Sequence, residues 1–267
     1  MKDYVERFDE PNMEYYRTVY ANSVRWQDED IEGKRILIYM EQGIGDQIMF
    51  LRFLRLVKER SPKSITLHAP ANMERLIRHL GCEFADKENE TLPEHDLHVC
   101  SLSLPFVLKK AIPVEPYIKL IEKTDLGDEG GSKVGIAWEG NPDHPNNKIR
   151  NCPLKFFKPL LDKGVNFYHI KPEIHDWDLI EGCHDWIING SEINDWYDTA
   201  KFINALDYVV TVDTGVLHLA GAMGKRTYAL LGPGIPDPRW SELWYPTVRF
   251  VQGTWEECIK FVIDKQF

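Results

Sequence analysis

Two successive parallel α/β units are what this sequence predicts. Three observations carry the prediction: apolar β-branched runs alternate with amphipathic stretches, one polar glycine-rich segment interrupts the alternation, and the alternation restarts beyond it. The length agrees, since 267 residues correspond to two domains at about 150 residues each.

Taken in order, Tyr15, Tyr16, Tyr20 and Trp26 lie at near-helical spacing and predict a leading helix on the first domain. Lys34–Tyr39 reads as a buried strand, Glu41–Asp46 as a turn, and Gln47–Arg60 as a helix whose apolar face holds Ile48, Leu51, Phe53, Leu54 and Val57. Ser64–Leu67 is a second strand, and Asn72–Leu80 a second helix that Gly81 stops at a C-cap position. A short strand follows near Asp96–Val99, then a Ser-Leu-Ser-Leu-Pro turn and a short helix. Residues 122–132 hold no apolar periodicity and several glycines, the best linker in the chain. Beyond it come strand Lys133–Ala137, helix Leu154–Leu161, strand Val165–Ile170, helix 197–205, strand 207–212, helix 215–223 and strand 226–231. Trp255–Asp264 is a last helix, expected to be able to pack back on the first domain. Strand–helix–strand order requires parallel sheets with right-handed crossovers, and two such units predict a ligand cleft. The expected domains are 1–125 and 126–267.

Composition narrows the function. Lys and Arg number 32 against 42 Asp and Glu, a formal charge of −10, which disfavours nucleic acid or an anionic membrane as a partner of the whole surface. The first residues carry no apolar signal-peptide core, and no apolar run is long enough to span a bilayer. Five cysteines (Cys82, Cys100, Cys152, Cys183 and Cys258) are scattered and never occur as Cys-x-x-Cys, which argues against a disulfide framework and a zinc knuckle. A cytoplasmic protein is expected.

Three motifs can carry chemistry. Gln42-Gly43-Ile44-Gly45-Asp46-Gln47 joins a strand to a helix but lacks the third glycine of a dinucleotide fingerprint and the Gly-Lys-Ser/Thr of a P-loop. Its glycines suit a tight turn and a close approach by a ligand; Asp46 is either a helix cap or a catalytic carboxylate. In Val209–His218 a β-branched strand runs into a helix whose first turn carries Asp213, Thr214 and Gly215, a start suited to phosphate, with His218 one turn in. Here too, capping by Asp213 and a helix histidine satisfied by its neighbours are the plain alternatives. The third is the polar loop Trp138–Arg150, with Asn141, Lys148 and Arg150, where the two basic residues can neutralise a diphosphate. No paired histidine metal spacing, His-Glu-x-x-His or Gly-x-Ser-x-Gly occurs. Trp177, Trp186 and Trp196 read as packing.

In this order the motifs resemble the ADP-heptose:lipopolysaccharide heptosyltransferase superfamily. The resemblance is closest to the branch found as the C-terminal module of bacterial tetratricopeptide-repeat proteins. It is carried by Glu41–Gln47, Leu92–His98, Ser101–Pro105, Val134–Pro142, Asn146–Arg150, Asp198–Ala200, Val212–Gly221 and Trp244–Pro246, and spans residues 33–255.

It implies an α/β fold of the GT-B type, with two Rossmann-like domains whose parallel sheets face a central cleft. The first domain would take the acceptor and the second a nucleotide-diphosphate sugar, with no metal and no cofactor. Asp46 matches the general base, Asp213 a donor-sugar contact, and Thr214 and Gly215 the diphosphate-binding helix start. Asn141, Lys148, Arg150 and His218 join them on the donor side, as does Lys171, which follows Phe167–Ile170 where this branch usually has Gln. Gln42, Gly43, Gly45 and Gln47 fall on the acceptor side or its turn.

The expected function is metal-independent, inverting glycosyl transfer to an acceptor hydroxyl on a glycan, a lipopolysaccharide core, a protein or a small molecule. The alternatives are a catalytically degenerate nucleotide-sugar or glycan-binding module and a sugar-nucleotide epimerase.

Overall fold

The computed structural model describes residues 14–89, 91–110, 112–127, 130–144, 147–161, 163–170, 187–189, 193–233 and 244–267. They form two compact units. The first is built from the chain up to Gly43 and Phe50–Pro113, the second from Ile44–Met49 and Val114–Phe267.

The first unit has a four-stranded sheet of β1 (Arg35–Tyr39), β2 (Ser64–Ala69), β3 (Glu83–Asp86) and β4 (Leu97–Cys100), in the order β3-β2-β1-β4. Every pairing is parallel. The leading helix α1 (Glu14–Val19) belongs to this unit, as its aromatic spacing predicts. Tyr16 and Tyr20 stack on Tyr39 at 5.1 and 4.4 Å between ring centres. Tyr20 also stacks on His98 at 5.0 Å, and its hydroxyl is 2.5 Å from His68 Nδ1.

The predicted helix Gln47–Arg60 is instead α2 (Ile44–Phe50), a 3-10 turn at Leu51–Phe53, and α3 (Leu54–Lys58). The tightened turn carries Arg52 and Phe53 inward, where Arg52 Nη1 donates to Pro113 O at 3.1 Å. A 3-10 turn at Ala71–Met73 leads into α4 (Glu74–His79), which stops before Gly81 in the left-handed region, φ +69°, as expected. The turn after β4 leads to α5 (Leu104–Leu108).

The second unit has a six-stranded sheet of β5 (Ser132–Ala137), β6 (Val165–His169), β7 (Ile187–Asn189), β8 (Tyr208–Val212), β9 (Thr227–Gly232) and β10 (Val248–Gln252). All pairings are parallel, in the order β10-β9-β8-β5-β6-β7. This is the doubly wound order, and its direction of winding reverses between β5 and β8, the place where such sheets bind ligands. The helices are α6 (Asn147–Arg150), α7 (Lys158–Leu161), α8 (Trp196–Ala205), α9 (Gly215–Ala222) and α10 (Trp255–Gln266).

Strands β3, β7 and β10 have no counterpart in the predicted elements, and all three lie at sheet edges. Edge strands are short and half-solvated, so they lack the apolar run that marks a central strand.

Two expectations are corrected. Helix α10 packs on its own unit, where Trp255, Cys258, Ile259 and Val262 join the core of Val134, Ile136, Phe157 and Val251. Thr254 and Glu257 fix its start as a capping box. The division between units falls at Pro113/Val114, not near 125/126. The segment 114–124 is hydrogen-bonded to the second unit. Tyr117 and Ile118 donate their N–H groups to Ala222 O, Thr124 donates to Lys201 O, and Asn204 Nδ2 donates to Leu120 and Glu122 O. Polar, glycine-bearing composition marks the chain that follows this strap, whereas backbone pairing decides where the strap belongs.

The described cysteines Cys82, Cys100, Cys152 and Cys258 are buried and form no disulfide; Cys183, Trp177 and Trp186 lie outside the described residues. No described helix is long and apolar enough to cross a membrane.

The aromatic seat of α1 makes the first unit acid-sensitive. His98 is 6% exposed, and its Nδ1 has no hydrogen-bond partner among the described residues. Burial above all, then the charges of His95 and Arg25, push its pKa from 6.5 down to about 4. Burial also lowers that of His68. The unfolded chain therefore takes up these protons first as pH falls. The stabilisation is complete above about 6.5 and is lost as pH falls through about 4, by up to about 3 kcal/mol for His98. Urea unfolding of the protein at about pH 7.5 and about pH 5 is expected to show this loss, and His98→Gln to reduce it. An unchanged pH dependence in His98→Gln would contradict the assignment.

Candidate functional site

The switch point of the second sheet is built from the ends of β5 and β8. After β5, Trp138 stacks on buried His169 at 4.0 Å, and Cys152 N–H donates to Trp138 O at 2.8 Å, closing the polar loop. Inside it, Asn141 is exposed and its Oδ1 accepts from Asp143 N–H at 3.0 Å. Asn141 thus shapes the turn. Lys148 is exposed on α6, whereas Arg150 is held inward.

Gly140 makes that inward position possible. A Cβ there would stand 3.1 Å from Arg150 Nη2 and 3.5 Å from Thr214 Cγ2. The loop therefore lies against the start of α9. Arg150 Nη1 is 3.7 Å from Asp213 Oδ2. Arg150 Nε and Asn147 Oδ1 are buried without a hydrogen-bond partner among the described residues. A buried guanidinium N–H left over beside a carboxylate is a donor that an anion can take up.

After β8, Thr214 occupies the N-cap of α9 in extended conformation, and its side chain makes no capping hydrogen bond; its Oγ1 lies 3.3 Å from Thr211 Oγ1. Asp213 precedes the cap, so it is not the capping residue. Its side chain, 16% exposed, faces Arg150 and lies 4.0 Å from His218 Nε2. Gly215 opens the helix under the indole of half-buried Trp196, where a Cβ would come within 2.5 Å of Cη2. Trp196 packs, as the sequence suggests, but it packs at the mouth of the site.

Ile44–Met49 belongs to this same unit. Asp46 is the third residue of α2 and half-buried, so it does not cap the helix from outside. The first turn is still where helix electrostatics favour a carboxylate. The residue in the left-handed region of the turn is Gln42, φ +64°, and neither glycine serves for that. Gly43 is exposed with open space around it, Gln42 is exposed and Gln47 is buried.

Gly45 is needed for a close approach, though to a side chain: a Cβ would stand 2.5 Å from His218 Cδ2 and 3.1 Å from its Nε2. His218 is 3% exposed and cannot give way freely. Gly45→Ala is expected to push the Asp46 turn off His218 and to cost about 1–3 kcal/mol as overpacking. Thermal unfolding checks this, and an unchanged melting temperature would sink it.

Asp46, Gly45, Asp213, Thr214, Gly215, His218 and Arg150 therefore belong to one constellation of the second unit. Asn141 and Lys148 are exposed on the loop of the same unit, whereas Gln42 and Gly43 belong to the first unit. Lys171 lies outside the described residues. Sequence spacing gave no role to Tyr245, whose hydroxyl is 3.1 Å from His218 Nδ1, because nothing in a chain separation of 27 residues marks a pair. Among the described residues no group of three or more His, Cys, Asp and Glu is placed to hold a metal ion.

Residues 195–263, which contain β8, α9 and the Asp213-Thr214-Gly215 start, match the family model for glycosyltransferase family 9 (heptosyltransferase). Over these residues the chain is similar to glycosyltransferase family 9.

Its fold agrees. The ADP-heptose lipopolysaccharide heptosyltransferase II of E. coli superposes with a TM-score of 0.60 at 13% identity, covering 86% of this chain and 98% of that one. The iron-containing dodecameric glycosyltransferase TibC of enterotoxigenic E. coli gives 0.61 at 10% identity, covering 84% and 64%. These establish the GT-B fold of two parallel-sheet units. Among curated proteins, Protein FlbA of Caulobacter vibrioides is 27% identical over 285 residues, covering 87% of this chain. The chain spans 46% of that relative's length. The matched segment thus contains the β8 side of the switch point described above.

Proposed function

We propose that this protein transfers a sugar from a nucleotide-diphosphate donor to an acceptor hydroxyl, with inversion and without a metal. The observation that supports it is the convergence, in the second unit, of the Asp46 turn, the Asp213–Arg150 pair and the uncapped start of α9.

The start of α9 and Arg150 offer N–H donors to the two phosphates, as a helix N-terminus and a guanidinium do for anions generally. Asp46 takes the proton of the acceptor hydroxyl as its oxygen attacks the anomeric carbon. The sugar–phosphate bond breaks on the opposite side of that carbon, which inverts its configuration. The departing nucleoside diphosphate carries the electron pair, and the fixed positive groups receive the charge where it develops. In this scheme Arg150 and α9 supply the electrostatic stabilisation that a metal ion supplies in other transferases. Asp213 contacts the donor sugar, Lys148 adds positive charge at the margin, and the first unit carries the acceptor. The acceptor's class is a sugar or another hydroxyl compound.

A thermal-shift panel of ADP, UDP, GDP and CMP with their sugars tests the donor site, because a ligand that binds only the folded state raises the melting temperature. A shift with one nucleotide, followed by its release from the matching sugar donor, is the expected result. No shift with any of them would overturn the proposal.

A further inference from the structure

We propose that Tyr245 is a positioning residue, which by donating its hydroxyl proton to His218 Nδ1 fixes the histidine ring as the common seat of Asp213 and the Asp46 turn. The inference rests on the transfer reading above for its kinetic consequence, although the hydrogen bond itself does not.

Four contacts lead to it. Tyr245 is 1% exposed, and its ring lies flat against α9 at Gly221, where a Cβ would come within 2.6 Å, so the hydroxyl has one direction in which to point. That direction is His218 Nδ1, at 3.1 Å. The other ring nitrogen, Nε2, lies 4.0 Å from Asp213 Oδ1. On the same edge of the ring, Cδ2 and Nε2 carry Gly45, the residue before Asp46.

The chemistry then orders the protons. An ionised carboxylate only accepts, so the favourable tautomer presents Nε2–H to Asp213. Nδ1 is left as an acceptor, and the Tyr245 hydroxyl is the donor it faces. At 4.0 Å the contact with Asp213 is longer than a direct hydrogen bond, whereas the 3.1 Å bond from Tyr245 is short enough to order the ring. With the hydroxyl removed, Nδ1 loses that donor and the preference for one tautomer falls, so both groups seated on the ring lose their reference. One is the carboxylate assigned to the donor sugar. The other is the turn that carries the base.

The test has a structural arm and a kinetic arm. In 15N-labelled protein at about pH 8, where neutral imidazole predominates, the ring nitrogens of His218 are identified by their loss in His218→Gln among the nine histidines. His218 is expected to carry its proton on Nε2 in the wild type and to become a tautomer mixture in Tyr245→Phe. A proton on Nδ1 in the wild type, or an unchanged ring in Tyr245→Phe, would overturn the proposal.

In the kinetic arm, Tyr245→Phe is expected to lower release of nucleoside diphosphate from the sugar donor about tenfold. Its Kd for the free nucleoside diphosphate should stay within about twofold, since the phosphate contacts are elsewhere. Because the phenyl ring keeps the contact with Gly221, the fold is retained. His218→Gln keeps a donor toward Asp213 but removes the link to Tyr245. Adding Tyr245→Phe to it should therefore have no further effect. Losses that multiply instead would show that Tyr245 acts independently of His218, which contradicts the inference. Should the wild type release no nucleotide from any sugar, the transfer reading fails, and the nitrogen resonances still judge the hydrogen bond.

Discussion

Asp46→Asn is expected to abolish sugar transfer while leaving nucleoside-diphosphate binding intact. The substitution is isosteric, and Asp46 sits third in α2, half-buried, on a turn fixed by Gly45 against His218. The amide fills the same space but accepts no proton. Loss of a positioned general base costs about 10²–10⁴-fold in rate. Calorimetry with the nucleoside diphosphate selected by thermal shift should give an affinity within about twofold of wild type, since the phosphate donors at α9 and Arg150 are untouched. Wild-type turnover in Asp46→Asn would remove Asp46 from the base role. Lost binding would mean that the residue holds the donor instead.

Arg150→Ala is expected to have the opposite signature, with nucleoside-diphosphate affinity falling about 10–100-fold. Charge-assisted hydrogen bonds contribute about 1.5–3 kcal/mol each, and each factor of ten in affinity is about 1.4 kcal/mol. Arg150 approaches Asp213 to 3.7 Å. Its Nε is buried without a partner among the described residues. The alanine variant loses that donor and also leaves the Asp213 carboxylate facing an anion without its counter-charge. Arg150→Lys should fall between the two, since it keeps the charge but not the planar fork. Calorimetry reads all three, and an unchanged affinity in Arg150→Ala would place the diphosphate elsewhere.

Much of this arrangement was legible in the chain because it is local. The central strands β1, β5 and β8 are apolar runs buried on both faces, and such runs announce themselves by composition. The Asp213-Thr214-Gly215 start of α9 was legible for the same reason, since a β-branched run that stops just before an apolar helical stretch marks a strand-to-helix junction. Edge strands β3, β7 and β10 were not legible, because half of what holds them is a backbone ladder that any sequence can form. The 3-10 break at Leu51–Phe53 was also hidden, since the apolar spacing of a helix runs through it unbroken. In the Gly43-Ile44-Gly45-Asp46 turn, two of the expected conformational roles differ. Gln42 takes the left-handed conformation, and Gly45 makes room for a histidine ring.

The sequence by itself determined two parallel α/β units, a net negative charge and the residue types at the start of α9. These follow from composition and from periodicities of two and 3.6, which a chain carries whether or not it is folded. Only the tertiary structure decided that Arg150 turns inward while Lys148 stays exposed, that the 114–124 strap and α10 belong to the second unit, and that Tyr245, His218, Asp213 and Gly45 form one line of contact. Those facts depend on which residues, distant in the chain, a parallel sheet brings to the same edge. Where its winding reverses, β5 and β8 become neighbours, and the loops that follow them meet.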